Sequence, residues 1–206
     1  PERIPLSYAQ QRLWFIDQLE GTSTEYNMPG ALRLKGDLDT AALERAIETI
    51  VERHESLRTH FEMVEGEPVQ VIEAVGKVRV EKEDLSGLEP GEKRRRVREA
   101  MARETEEAFD LRKGPVLRVK LLKLGDGEHV LLRTMHHIVS DGWSEGVFNR
   151  EFTALYEAYR EGRENPLKPL AVQYADFALW QRGWLGEGRL NEQLEYWKTQ
   201  LEGIPE

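Results

Sequence analysis

Two apolar runs, Val116 to Leu124 and His129 to Met135, flank the tripeptide Gly125-Asp126-Gly127, and no other feature narrows the fold of this chain as much. A short Gly-Asp-Gly linker between two strand-length apolar runs is a hairpin signature. The hairpin is followed by a segment from about Ser144 to Arg160 with Val147, Phe148, Phe152, Leu155 and Tyr159 at helical spacing. The chain therefore contains an antiparallel pair of strands that leads, through residues 137–143, into an amphipathic helix.

The remaining segments supply more of both element types. Ser7 and Gln10 have capping-box spacing and open a helix, with Leu13, Trp14 and Ile16 on later turns and Gly21 at its end. Ala31, Leu32 and Leu34 predict a short strand between Gly30 and Gly36. Asp39 is the N-cap of a second helix that runs to about Arg53, with Leu38 and Leu43 as a hydrophobic staple and Leu43, Ile47 and either Ile50 or Val51 as its buried stripe. Strand-like runs follow near 58–64, 68–74 and 77–82, then an exposed helix over 91–108 with a thin apolar face of Val97, Ala100 and Met101. Two helical stretches, about 175–185 and 189–201, follow a loop marked by Pro166 and Pro169. Helices and strands mix without a regular βαβ rhythm, which predicts an α/β two-layer sandwich with a mixed sheet.

Composition excludes several classes. The chain has 206 residues and no cysteine, so disulfides, thiolate nucleophiles and cysteine zinc sites are out, and a cytoplasmic protein is expected. Net charge is −9, the wrong sign for a duplex-binding domain, so no nucleic-acid partner is expected. No apolar run approaches the roughly 20 residues needed to cross a bilayer, and no secretory leader opens the sequence. Arg94-Arg95-Arg96 lie among Glu92, Glu99, Glu104, Glu106 and Glu107, which makes a solvated helix face the better reading than a docking patch.

The chemistry concentrates where the second hairpin strand ends, at His136-His137-Ile138-Val139-Ser140-Asp141-Gly142. Side chains alternate across a strand. Val130, Leu132, Thr134 and His136 then share one largely apolar face, while Leu131, Arg133, Met135 and His137 share the other. On that alternation His136 faces a core and His137 a different space, so the two rings do not ligate one metal. Asp141 is suited to orient a ring, cap the helix or pair with an arginine, and Gly142 suits a tight turn or a close backbone approach. His54, His60 and His129 show no metal-ligand pattern and are read as packing or surface residues.

The segment resembles the His-His-x-x-x-Asp-Gly signature of nonribosomal peptide synthetase condensation domains, within the wider chloramphenicol-acetyltransferase-like superfamily. Three further segments resemble companion motifs in the same order. They are Ser7-Tyr8-Ala9-Gln10-Gln11-Arg12-Leu13-Trp14-Phe15, Arg53-His54-Glu55-Ser56-Leu57-Arg58-Thr59-His60-Phe61 and Tyr174-Ala175-Asp176-Phe177-Ala178-Leu179-Trp180-Gln181-Arg182.

The resemblance implies that residues 1–206 are the His-bearing N-terminal lobe of a two-lobed domain whose C-terminal lobe is absent. It implies peptide-bond formation, in which the amine of a carrier-bound acceptor attacks the thioester of a carrier-bound donor. His137 is then the histidine at the reacting centre, as general base or as positioner of the amine. Because an α-amino group has a pKa of about 7.7–8.0, a strong base is not obligatory. Gly142 offers its backbone N–H to the thioester or the pantetheine arm, and Trp143 and Ser144 line the substrate channel. His136 is structural, and Asp141 forms a salt bridge with Arg53, or failing that Arg58. No metal and no cofactor are bound by the domain itself; phosphopantetheine arrives on the donor and acceptor carrier proteins. The C-terminal lobe is a further partner, without which little turnover is expected. The wording of the motifs is most similar to domains that join two L-configured residues. Alternatives are a coenzyme A-dependent acyltransferase of the same superfamily, an epimerisation domain, and a non-catalytic module that docks partners. Trp180, Trp184 and Trp197 are expected in a core or at the lobe interface.

Overall fold

The computed structural model describes residues 3–21, 23–76, 78–186 and 188–204. The hairpin forms where its sequence places it. β6 (Leu117–Gly125) and β7 (Glu128–His136) pair antiparallel around a tight turn in which Gly127 takes a φ of 71°. Two more strands extend this sheet to the order β2-β7-β6-β5. β2 (Asn27–Lys35) is antiparallel to β7, and β5 (Val80–Asp84) is parallel to β6, so the sheet is mixed. β2 is longer than the apolar run Ala31–Leu34 suggests, because all nine of its residues, Pro29 and Gly30 included, stay in register with β7. The predicted strand over 77–82 lies at 80–84, with Lys77 outside the described residues.

Helices cover both faces of this sheet. α2 (Thr40–Arg53) and α4 (Gly142–Arg160) pack on one side, where Leu43, Ile47, Phe148, Phe152 and Leu155 meet Leu117, Val119, Leu121, Leu131 and Met135. Burying each such side chain contributes about 1.5–3 kcal/mol. α3 (Pro90–Glu106) lies on the other side, its Ala100 buried with Leu122, Val130 and Leu132. Met101, expected on that apolar face, points to solvent, 43% exposed. Arg95 and Arg96 are held by Glu92, Glu99 and Glu83, as a solvated acidic and basic face would arrange them.

A second, three-stranded sheet has the order β1-β4-β3, from β1 (Ile4–Pro5), β4 (Glu67–Ile72) and β3 (Thr59–Val64), the last preceded by a 3-10 helix over Glu55–Arg58. It carries α1 (Tyr8–Glu20), whose Trp14 packs with Leu6, Phe61, Phe109, Val116 and Ile138. The capping box of α1 is complete: Ser7 Oγ accepts from Gln10 N–H at 3.1 Å, and Gln10 Oε1 accepts from Ser7 N–H at 2.9 Å. The chain ends in α5 (Tyr174–Gly186) and α6 (Arg189–Leu201). Trp180, Trp184 and Trp197 belong to no core among the described residues; they are 58%, 40% and 54% exposed.

Candidate functional site

β7 is buried along nearly its whole length because helices cover both of its faces. Its alternation carries through to the last residue. His136 follows Val130, Leu132 and Thr134 into the interior, 3% exposed, with Phe109 edge-on at 6.0 Å and Tyr26 at 6.3 Å between ring centres. His136 Nδ1 accepts the Ile138 N–H at 3.1 Å, which leaves the ring proton on Nε2. Burial pushes this imidazole down to about 4, and His137 beside it adds to the effect. It is a neutral core residue.

His137 lies on the opposite side. Its N–H still donates to Tyr26 O at 2.9 Å, and the chain then turns, with Val139 N–H donating to His136 O. The His137 side chain is exposed and lines a cavity of about 500 Å³. α1 contributes Ala9, Arg12 and Leu13 to this cavity, α4 contributes Ser144, Val147 and Phe148, and the segment before α5 contributes Leu170, Val172 and Gln173.

Asp141 does not form the expected ion pair. It is the N-cap of α4, where its Oδ1 accepts from Ser144 N–H at 2.8 Å and from Ser144 Oγ–H at 2.7 Å. The Ser144 hydroxyl holds its carboxyl below the ordinary range, with smaller contributions from backbone N–H groups and nearby His137. A carboxylate committed to a helix N-terminus is already satisfied. Arg53 turns instead to Glu151 on α4, Nε to Oε1 at 3.0 Å, and to the carbonyl of Lys168. Arg58 is engaged elsewhere: it donates to the Glu73 carbonyl, approaches Glu55 at 3.6 Å and lines a separate cavity with His60.

Trp143 and the tight turn expected at Gly142 also differ from expectation. Trp143 is 81% exposed and is not among the residues lining the His137 cavity, whereas Ser144 is. Trp143 projects to solvent from the first turn of α4, while Ser144, bonded to Asp141, is partly buried. Gly142 has no positive φ, and a Cβ there would meet nothing within 4 Å. Nothing among the described residues therefore requires glycine at that position.

Sequence reasoning missed Glu151 and, with it, the placement of His54. Glu151 Oε2 lies 2.7 Å from His54 Nε2, so one carboxylate serves both Arg53 and His54, and His54 faces the same cavity as His137. The signal was present: position 151 lies on the apolar stripe of α4, three residues after Phe148 and four before Leu155. The first and fourth motif segments also meet. Tyr174 Oη is 2.9 Å from Ser7 Oγ, Arg182 Nε donates to Leu6 O at 2.8 Å, and Gln173 bridges the Arg53 carbonyl and the Glu55 N–H. All four motif segments thus converge on one cavity, with a solvent-accessible imidazole in its wall.

The Condensation domain family model matches residues 2–206. Malpibaldin synthetase of Mortierella alpina is 47% identical over 205 residues, 99% of this chain and 4% of the synthetase. Chondramide synthase of Chondromyces crocatus is 43% identical over 201 residues, 98% of this chain and 5% of that protein. Among solved structures, the X-domain from teicoplanin biosynthesis is 35% identical with a TM-score of 0.86, covering 100% of this chain and 44% of that one. The first condensation domain of the CDA synthetase is 27% identical with a TM-score of 0.81, over 100% of this chain and 52% of that one. The chain thus spans a small part of the curated synthetases and about half of the solved domains. With the family profile matched over all but its first residue, this chain belongs to the condensation domains of nonribosomal peptide synthetases.

Proposed function

We propose that this chain supplies the histidine-bearing wall of a site where two carrier-tethered acyl groups are joined by an amide bond. The acceptor's neutral α-amine attacks the carbonyl carbon of the donor thioester. As the tetrahedral intermediate collapses, the C–N bond remains, the C–S bond breaks, and the amine's proton ends on the departing thiol. His137 is suited to hold the amine through a ring nitrogen and to carry that proton. His136 is not, because its ring is enclosed and its Nδ1 is already engaged. The observation that carries the reading is this contrast between adjacent rings, one sealed in the core and one on the wall of a cavity where four motif segments meet.

On this reading the backbone of Gly142, beside that cavity and free of a Cβ, approaches the thioester or the pantetheine arm. The arm and its phosphate belong to the donor and acceptor carrier proteins, which are the proposed partners. The opposite wall comes from the half of the domain that this chain does not span. The exposed apolar side chains of α5 and α6, Phe177, Trp180, Trp184, Leu194 and Trp197 among them, are the surface proposed to meet it.

The test is amide formation by a synthetase carrying this segment, its carriers loaded with defined aminoacyl groups. His137→Ala should lower the single-turnover rate by about 10²-fold or more, the range of acid–base and positioning contributions. The secondary structure of the 206-residue chain should be unchanged by the same substitution. An unchanged rate would remove His137 from the chemistry. A second reading, in which the domain docks a partner without catalysis, is favoured by one observation: the similar X-domain from teicoplanin biosynthesis is solved in complex with OxyB. A full catalytic loss in His137→Ala with carrier binding retained decides against it.

A further inference from the structure

β7 carries a guanidinium into the interior. Arg133 stands between Leu131 and Met135 on the face covered by α2 and α4, and it is 6% exposed. Its Nη2 is 2.7 Å from Glu145 Oε2 and its Nη1 is 3.3 Å from Asn149 Oδ1. Its central carbon lies 4.3 Å from the centre of the Phe148 ring. All three partners belong to the first turns of α4. On the far side, Gly30 of β2 is the ladder partner of Arg133, and a Cβ there would stand 3.3 Å from Arg133 Nη2. β2 therefore leaves room for the guanidinium at the position where a side chain would crowd it.

Stability alone does not account for this arrangement. Taking a charge out of water is costly, and replacing a buried ion pair by apolar side chains of similar volume is often neutral or stabilising. An ion pair differs from an apolar contact in being directional. A planar fork fixed on one carboxylate, one amide and one ring admits a single register. The register it fixes is that of α4 on β7, and the connection between these two elements is residues 137–141, which begin with His137. One residue of slip along a helix is about 1.5 Å. Displacements of about 1 Å at a reacting group can cost about 10²-fold in rate.

We propose that Arg133 is a positioning residue for His137: by gripping Glu145, Asn149 and Phe148 it sets where α4 begins relative to the end of β7, and so where the imidazole stands on the cavity wall. The inference rests on the role proposed for His137, but its test does not require catalysis. Arg133→Met and Arg133→Lys are made in the 206-residue chain. Three quantities are read: the urea midpoint, the position of the His137 Cε1–H resonance at fixed pH, and hydrogen exchange of amides 138–145. The Met variant, which leaves Glu145 without its partner, should lower the midpoint; Arg133→Met with Glu145→Met, which removes both charges, should keep it close to the parent's, and in both the His137 resonance moves and exchange over 138–145 rises roughly tenfold. The Lys variant, with the charge but not the fork, should fall between.

In the synthetase, Arg133→Met should lower kcat by about 10- to 100-fold with KM for the acceptor nearly constant. A folded Met variant with unchanged resonance and exchange overturns the proposal. If that variant does not fold, Arg133→Met with Glu145→Met removes both charges and gives the same comparison, and an unmoved His137 resonance there overturns it equally. A moved resonance with an unchanged condensation rate would count against the role of His137 and leave the clamp standing.

Discussion

Lowering the pH from 7 to 5 asks the His136 imidazole to take up a proton in a place that excludes it. The ring is 3% exposed, its Nδ1 accepts the Ile138 N–H, and burial holds it at about 4, against about 6.5 for the unfolded chain. Because the folded value is the lower, the unfolded chain binds more protons between pH 6.5 and 4. The stability present above pH 6.5 is therefore lost as the pH falls toward 4. The full difference corresponds to about 3 kcal/mol, and about 2 kcal/mol of it is lost between pH 7 and pH 5.

The control is His136→Asn, whose Oδ1 can accept the same N–H and which does not titrate. Urea unfolding of both chains, followed by tryptophan fluorescence at pH 7, 6 and 5, isolates the effect, since every other titrating group is common to the pair. The wild type should lose about 2 kcal/mol more than the variant over this range. Parallel pH profiles would mean that His136 is protonated within the folded chain, and the description of it as a neutral core residue would fail.

Other substitutions separate the roles of the charged groups around the cavity. Glu151→Gln leaves both Arg53 and His54 without their anion, and the expected loss is about 3 kcal/mol in urea unfolding, with faster exchange in the segment 168–173 that Arg53 holds. Asp141→Ala should cost about 1 kcal/mol, the ordinary worth of an N-cap, and Asp141→Asn clearly less. A loss near 3 kcal/mol for Asp141→Asn would instead favour the ion pair with Arg53 that the structure does not contain.

Much of this site was legible because it depends on short periods. The alternation of β7 assigns His136 inward and His137 outward from residues 130–137 alone, and Ser7 with Gln10 states its own capping box. Partner choice was less legible. Asp141 had an arginine suggested by family resemblance, but a carboxylate at the start of a helix is satisfied three residues away, by Ser144. Arg53 and Glu151 are far apart in sequence, and only the packing of α2 on α4 brings them together. Their one local mark was an acid on an apolar stripe, just as Arg133 was a cation on an apolar strand face.

α6 shows the same limit in its purest form. Leu190, Leu194, Trp197 and Leu201 recur at spacings of four, three and four, which makes one stripe of a helix. Yet none of α6 is buried, and these four side chains are 43–54% exposed. Periodicity records that a face is apolar; it carries no information about what lies against that face. In α2 and α4 the covering partner is another segment of the same chain, so the pattern and the burial agree. In α6 no described residue covers the stripe, and the solved condensation domain of the CDA synthetase extends to about twice the length of this chain. The stripe on α6 is therefore the same kind of signal as the stripe on α2, differing only in that its counterpart has to be sought outside these residues.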